Sequence, residues 1–291
     1  MSWLFTGSNW PVEWPLYALA VTAVLYLLGG RMSAAPSDAS RRRRGLCFYA
    51  GLATVALAVD SPIDAYADTL FWAHMIQHIL LMMVAPPLLL IGRPWPRLIR
   101  PLPQSIRLPI ARSVLAGPVL APLRVVARFI ASPLPAFLLF NGTLVMWHIP
   151  ALYDLTLRNG TVHDLEHSLF FATGLLFWVH LLPAASGRPQ LSDGMRVAYG
   201  TAALLVSWLL AITLGIAPHA AYSTYANLAH RPGGLSALAD QQLAAGIMWV
   251  PGSIPYTVVL FFAAYRWLDP SSGHRRRINL QPRETSWSQP S

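Results

Sequence analysis

Seven stretches of this chain are apolar enough to hold a membrane-spanning helix, and polar or arginine-bearing segments separate them. They run from Pro15 to Gly30, Gly45 to Val59, Leu70 to Gly92, Pro135 to His148, Leu165 to Leu182, Arg196 to Ala217 and Gln241 to Trp267. A hydrocarbon core roughly 30 Å thick takes about 20 helical residues, so the second and fourth stretches are short for a full crossing. The pattern predicts an all-α fold: a polytopic transmembrane helical bundle of seven spans over residues 1–268, followed by a polar, arginine-rich and disordered tail over residues 269–291. Apart from a weak echo between MWHIP and MWVP, no internal repeat is visible.

The third stretch, FWAHMIQHILLMMVAPPLLLIG in its body, breaks the apolar pattern with two histidines. His74 and His78 are four apart, so on a helix they lie one turn apart and close enough to share a ligand. Ionisable groups within a membrane are costly unless they face the protein interior, so both are expected to point inward. Met75, His78 and Met82 fall on one row, with Met83 beside them; adaptable core filling is the ordinary use of such methionines. Pro86 and Pro87 remove two backbone donors, which predicts a kink or break in the second half of this helix.

Composition supports the membrane class. The chain is 55% hydrophobic and only 11% charged, with a mean hydropathy of +0.45, whereas a soluble domain carries about 25% charged residues. All 21 basic residues are arginine, and the net charge is +9. These arginines cluster between apolar spans, a pattern of membrane orientation rather than nucleic-acid binding. Seven spans place nineteen of the 21 on one side and leave only Arg158 and Arg231 on the other. The N-terminus is therefore expected outside and the C-terminus in the cytoplasm. Residues 93–133 form a cytoplasmic loop rich in arginine and proline, in which Leu120 to Ile130 reads as a basic amphipathic helix or a solvated connector. The start of the chain lacks the basic end and short apolar core of a cleavable signal, so insertion is expected through the first span. Cys47 is the one cysteine and has no CxxC partner, which leaves it a small buried hydrophobe.

With the helices oriented, a rise of about 1.5 Å per residue puts His74 and His78 roughly 6 to 12 Å below the outer surface. The fourth span ends outward at His148, and the fifth enters through His163 and His167, again four apart. Five of the nine histidines thus fall in one outer layer. Asp60, Asp64, Asp68, Asp154, Asp164 and Glu166 crowd the loops above it, Asp240 opens the seventh span, and Met248 follows about two turns below. An acidic rim over histidine and methionine suits the collection of a cation. Imidazole suits several transition metals and thioether suits cuprous ion, so the mixture tilts toward copper, with zinc second. Neutral imidazole is the binding form, and affinity is expected to fall as the pH drops through about 6.5. His219 and His230 read as ordinary loop surface, and His180 and His274 as incidental.

Two other readings compete. His163-Asp164-Leu165-Glu166-His167 matches H-x-x-E-H, the inverted zinc-protease pattern, with Asp240 as a further ligand. A membrane cytochrome with two axial histidines across helices is the other, although pairs at i, i+4 beside acids suit a small ion better.

The segments HMIQHILLMMVAPPLLLIGRP, MWHIPALYDLTLRN with HDLEHSLFF, and DQQLAAGIMWVPGSIPY resemble those of the CtaG-type cytochrome c oxidase assembly proteins, a multi-span bacterial membrane family. The resemblance runs from about Trp14 to Trp267. It implies a non-catalytic inner-membrane protein that helps mature a heme-copper oxidase by supplying copper to its catalytic subunit. Its partners are then that subunit, periplasmic copper chaperones and membrane lipids, with no nucleic acid. The positions it implies for the metal are His74, His78, His148, His163, His167, Asp240 and Met248, with Trp249, Pro251 and Gly252 continuing the last segment. The prolines at 86–87 and at 251 are expected to break their helices and to let them adjust during hand-over. A single-span, cysteine-bearing copper chaperone shares the family's name, but its thiol motif is absent here. An assembly scaffold that uses no metal is the remaining alternative.

Overall fold

The computed structural model describes residues 14–32, 38–182 and 190–269, all built from helices and connecting loops. The predicted tail lies outside the described residues, Asp269 excepted. The helices are α1 (Trp14–Arg31), α2 (Ala39–Val59), α3 (Pro62–Ala67), α4 (Phe71–Ile79), α5 (Ala85–Ile91), α6 (Trp95–Ile99), α7 (Gln104–Ala116), α8 (Ala121–Ile130), α9 (Pro133–Trp147), α10 (Pro150–Thr156), α11 (Gly160–Leu181), α12 (Asp193–Gly215), α13 (Ser223–Ala226) and α14 (Ala237–Leu268).

All seven apolar stretches are helical, but they differ as membrane spans. Among the described residues four segments are long and apolar enough to cross a bilayer: Ala39–Ala67, Phe71–Ile91, α12 and α14. Counting each bent pair as one span, α7 with α8 at 73° and α9 with α10 at 80°, gives six among the described residues; α7 with α8 falls in the segment expected as a cytoplasmic loop, so five of the seven expected spans are in that set. The chain is a membrane protein by these helices. The difference from seven has local causes. At 18 residues α1 is short, and α11 is long enough at 22 residues but carries three histidines, Asp164 and Glu166, which lower its hydropathy.

Two helices begin earlier than expected because of their caps. Asp38 accepts from Arg41 N at 2.6 Å, so Arg41 to Arg44 form the first turns of α2 rather than a loop. Asn159 accepts from Thr161 N at 3.0 Å, so α11 starts at Gly160 and carries His163 on the helix. The expected amphipathic helix is present as α8, with Leu123, Val125, Val126 and Phe129 exposed. One of its two arginines is used locally, since Arg124 Nη1 donates to Gly117 O at 2.7 Å.

Pro86 and Pro87 do not break their helix. A single π-turn, Leu80–Val84, rewinds the chain just before them, and α5 continues to Ile91. Pro86 cannot serve the carbonyl of Met82; Trp178 Nε1 on α11 donates to it instead, at 2.9 Å. The two helices meet here because Gly174 has no side chain: a Cβ at that position would lie 2.9 Å from both Met82 O and Pro86 Cγ. Gly174→Leu is therefore expected to push α11 off the π-turn and cost about 1–3 kcal/mol or more, read as a lower melting temperature in detergent. The predicted break at Pro251 is also absent, since α14 runs through Pro251 and Pro255 as one helix of 32 residues. At the opposite end, Tyr26 stacks on Phe48 at 3.8 Å, lies under the Arg97 guanidinium at 4.6 Å and donates to Gly92 O at 3.0 Å, which joins α1 and α2 to the end of α5.

Candidate functional site

Side chains from the first turns of α4 and α11 reach toward one another and gather four imidazoles and one carboxylate into a single cluster, all buried except His163, which is partly so. Ring centroids are 4.4 Å apart for His74 and His78, 4.1 Å for His163 and His167, 5.0 Å for His74 and His163, and 5.7 Å for His78 and His167. Between them sits Glu166, fully buried, with Oε2 3.5 Å from His74 Nε2 and Oε1 3.5 Å from His78 Nε2. The i, i+4 spacing puts each histidine pair on one face, and Glu166, one residue before His167, leans across to α4.

Hydrogen bonds fix the tautomer of His74. Tyr225 donates its hydroxyl hydrogen to Ala67 O, so it can only accept from His74 Nδ1, at 3.2 Å. Nδ1 then carries a ring proton, and in the neutral imidazole Nε2 turns a lone pair toward a carboxylate oxygen. Orienting the far ring nitrogen is how outer partners set a metal-binding imidazole. His74 Nε2, both nitrogens of His78, His163 Nε2, His167 Nε2 and both Glu166 oxygens are buried with no hydrogen-bond partner. Two sets within the cluster, His74 with His163 and His167, and His74 with His78 and Glu166, have ligand atoms within 4.8 Å of one another. The residues present thus have the chemistry and the unmet bonding capacity of a transition-metal site.

Two of the expected ligands, His148 and Met248, lie beyond His78. The His148 ring is 6.2 Å from that of His78, and with Met248 it lines a small cavity on the far side. Asp240 is used elsewhere. Its oxygens accept from Phe71 N at 3.0 Å and Trp72 N at 3.1 Å, capping an α4 N-terminus that has no side-chain cap of its own. The same carboxylate pairs with Arg231 Nε at 3.4 Å. Asp154, expected on the acidic rim, accepts from the backbone of Ser223 and Thr224 and so holds α13. Of the other acids, Asp64 and Asp164 line a cavity of about 460 Å³ that reaches His163 and His167. His219 and His230 are exposed in the loop between α12 and α14, and His180 is buried near the opposite end.

The sequence places Glu166 on the acidic rim and in the H-x-x-E-H string, but not among the metal ligands, and it gives no signal for Tyr225. Residues 24–269 match the family described as cytochrome c oxidase caa3 assembly factor, CtaG type. The chain belongs to that family. The chain is also similar to uncharacterized proteins of Mycobacterium bovis and Mycobacterium tuberculosis, each 27% identical over 239 residues, which cover 79% of the chain and 36% of the relative. A relative from Mycobacterium leprae is 23% identical over 226 residues, with 77% and 34% covered. The chain therefore spans about a third of the length of the curated relatives it matches. No solved structure matches it.

Proposed function

We propose that this assembly factor binds copper in the cluster of His74, His78, His163, His167 and Glu166 and passes it to the catalytic subunit of a heme-copper oxidase. The supporting observation is the set of buried ligand atoms without partners that converge from α4 and α11. Copper is cargo here, and the protein acts on it by ligand exchange rather than by catalysis. The cavity beside Asp64 and Asp164 is the way in: its carboxylates attract a cation, and His163 and His167 meet it first. The arginine distribution supports seven spans in a bacterial inner membrane, with this end of the bundle on the periplasmic side and the C-terminus in the cytoplasm. Periplasmic copper chaperones and the oxidase subunit are the partners that this orientation favours.

The hydrolase reading needs Glu166 to activate a solvent water, and its carboxylate is instead enclosed between His74 and His78. The haem reading needs a flat slot, and rings packed edge to face at 4.4 Å and 5.0 Å leave none between them. In cells that depend on this chain for oxidase assembly, His74→Ala with His78→Ala is expected to yield oxidase that contains haem but lacks copper and activity. Normal, copper-replete oxidase in that strain would favour a scaffold that uses no metal.

A further inference from the structure

Behind the His/Glu cluster lies a separate cavity of about 30 Å³, lined in part by Met75, His78, Met82, Met83, His148 and Met248. That is room enough for a single ion. Four thioethers and two imidazoles around so small a space are an unusual concentration of soft electron-pair donors. Core filling accounts for sulfur in general, but one contact here asks for more.

His148 Nδ1 lies 2.7 Å from Leu144 O, and a carbonyl only accepts, so Nδ1 holds the ring hydrogen. In the neutral ring the other nitrogen, Nε2, therefore presents a lone pair, and it faces Met75 Sδ at 3.4 Å. A thioether has no hydrogen to give either. Two donors of electron pairs thus confront each other in a buried site with nothing between them to bond. Tyr222, which donates to His148 O at 3.2 Å, holds the histidine backbone in this place. On the other wall His78 is 4% exposed, and neither of its nitrogens has a hydrogen-bond partner.

We propose that this cavity is a second metal site, selective for a cuprous ion, with His148 Nε2 and Met75 Sδ as ligands and Met248 and His78 completing the shell. Thioether with imidazole is a donor set for a soft, monovalent ion and a poor one for zinc, while the imidazole and carboxylate cluster next to it suits divalent ions as well. His78 belongs to both walls, so a cuprous ion moves between the two sites by exchanging ligands, without a change of valence. The proposal deepens the copper reading above and takes the identity of the cargo from it, whereas its geometry is independent of that reading.

The test uses the full chain in detergent, purified without a histidine tag, with silver(I) as a redox-inert stand-in for cuprous ion and zinc(II) as the divalent probe. Met75→Leu with Met248→Leu, changes that conserve volume, is expected to weaken silver and cuprous binding by about tenfold or more while zinc binding stays as in the wild type. Glu166→Gln with His163→Ala is expected to do the reverse. X-ray absorption of the cuprous-loaded wild type, which needs no variant to fold, is expected to show sulfur in the metal's shell. Unchanged silver affinity in the methionine variant, or a shell of nitrogen and oxygen only, overturns the second site. Wild type that takes silver with sulfur ligation but takes no zinc upholds it and overturns the His/Glu reading instead.

Discussion

Glu166→Gln, introduced into the metal-free protein, is expected to leave the fold as stable as the wild type or to raise its stability by about 1–3 kcal/mol. The sign follows from what the carboxylate meets. Both oxygens are buried without a hydrogen-bond donor, and Oε2 faces a nitrogen of His74 whose lone pair is set by the chain through Tyr225 to Ala67 O. An amide places an N–H against such a lone pair and removes a buried charge. A site held ready for a cation is under strain when empty, and relieving the strain stabilises the protein while removing its binding. A structural ion pair between Glu166 and protonated histidines gives the opposite result, a loss of about 3–5 kcal/mol when one partner is neutralised. Chemical or thermal unfolding in detergent, with and without added copper, separates the two: copper is expected to stabilise the wild type and to do little for the variant.

Asp240→Ala is expected to behave in the contrary way, although Asp240 is equally buried. Its carboxylate accepts from two backbone N–H groups at the start of α4 and faces Arg231, whose side chain is 7% exposed. Truncation leaves the helix start without a cap and a buried guanidinium without its counter-charge, a combined cost of about 3–5 kcal/mol. Because α4 carries His74 and His78, metal binding should weaken as well, as an indirect effect. The same unfolding experiment reads the loss, and a variant as stable as the wild type contradicts the capping role.

The contrast shows what was legible in the sequence. Helix geometry alone pairs His74 with His78 and His163 with His167, and arginine counting alone puts both pairs at one end of the bundle. What no local rule supplies is the partner across helices. Phe71 and Asp240 are 169 residues apart, so a carboxylate at the head of the last helix reads as a ligand when it is a cap. Glu166 reads as the acid of a protease string because that string is local, while the histidines it faces belong to another helix. The proline breaks failed for a similar reason. The carbonyl that Pro86 leaves free finds its donor in Trp178, 96 residues from Met82, and a π-turn absorbs the rest.

The most direct measurement is the copper content of untagged, full-length protein after copper loading and passage through a desalting column in detergent. Wild type is expected to retain copper, and the His74→Ala, His78→Ala variant to retain none above the detergent blank. A folded wild-type protein that emerges free of copper, or a double variant that keeps as much, would contradict the metal site.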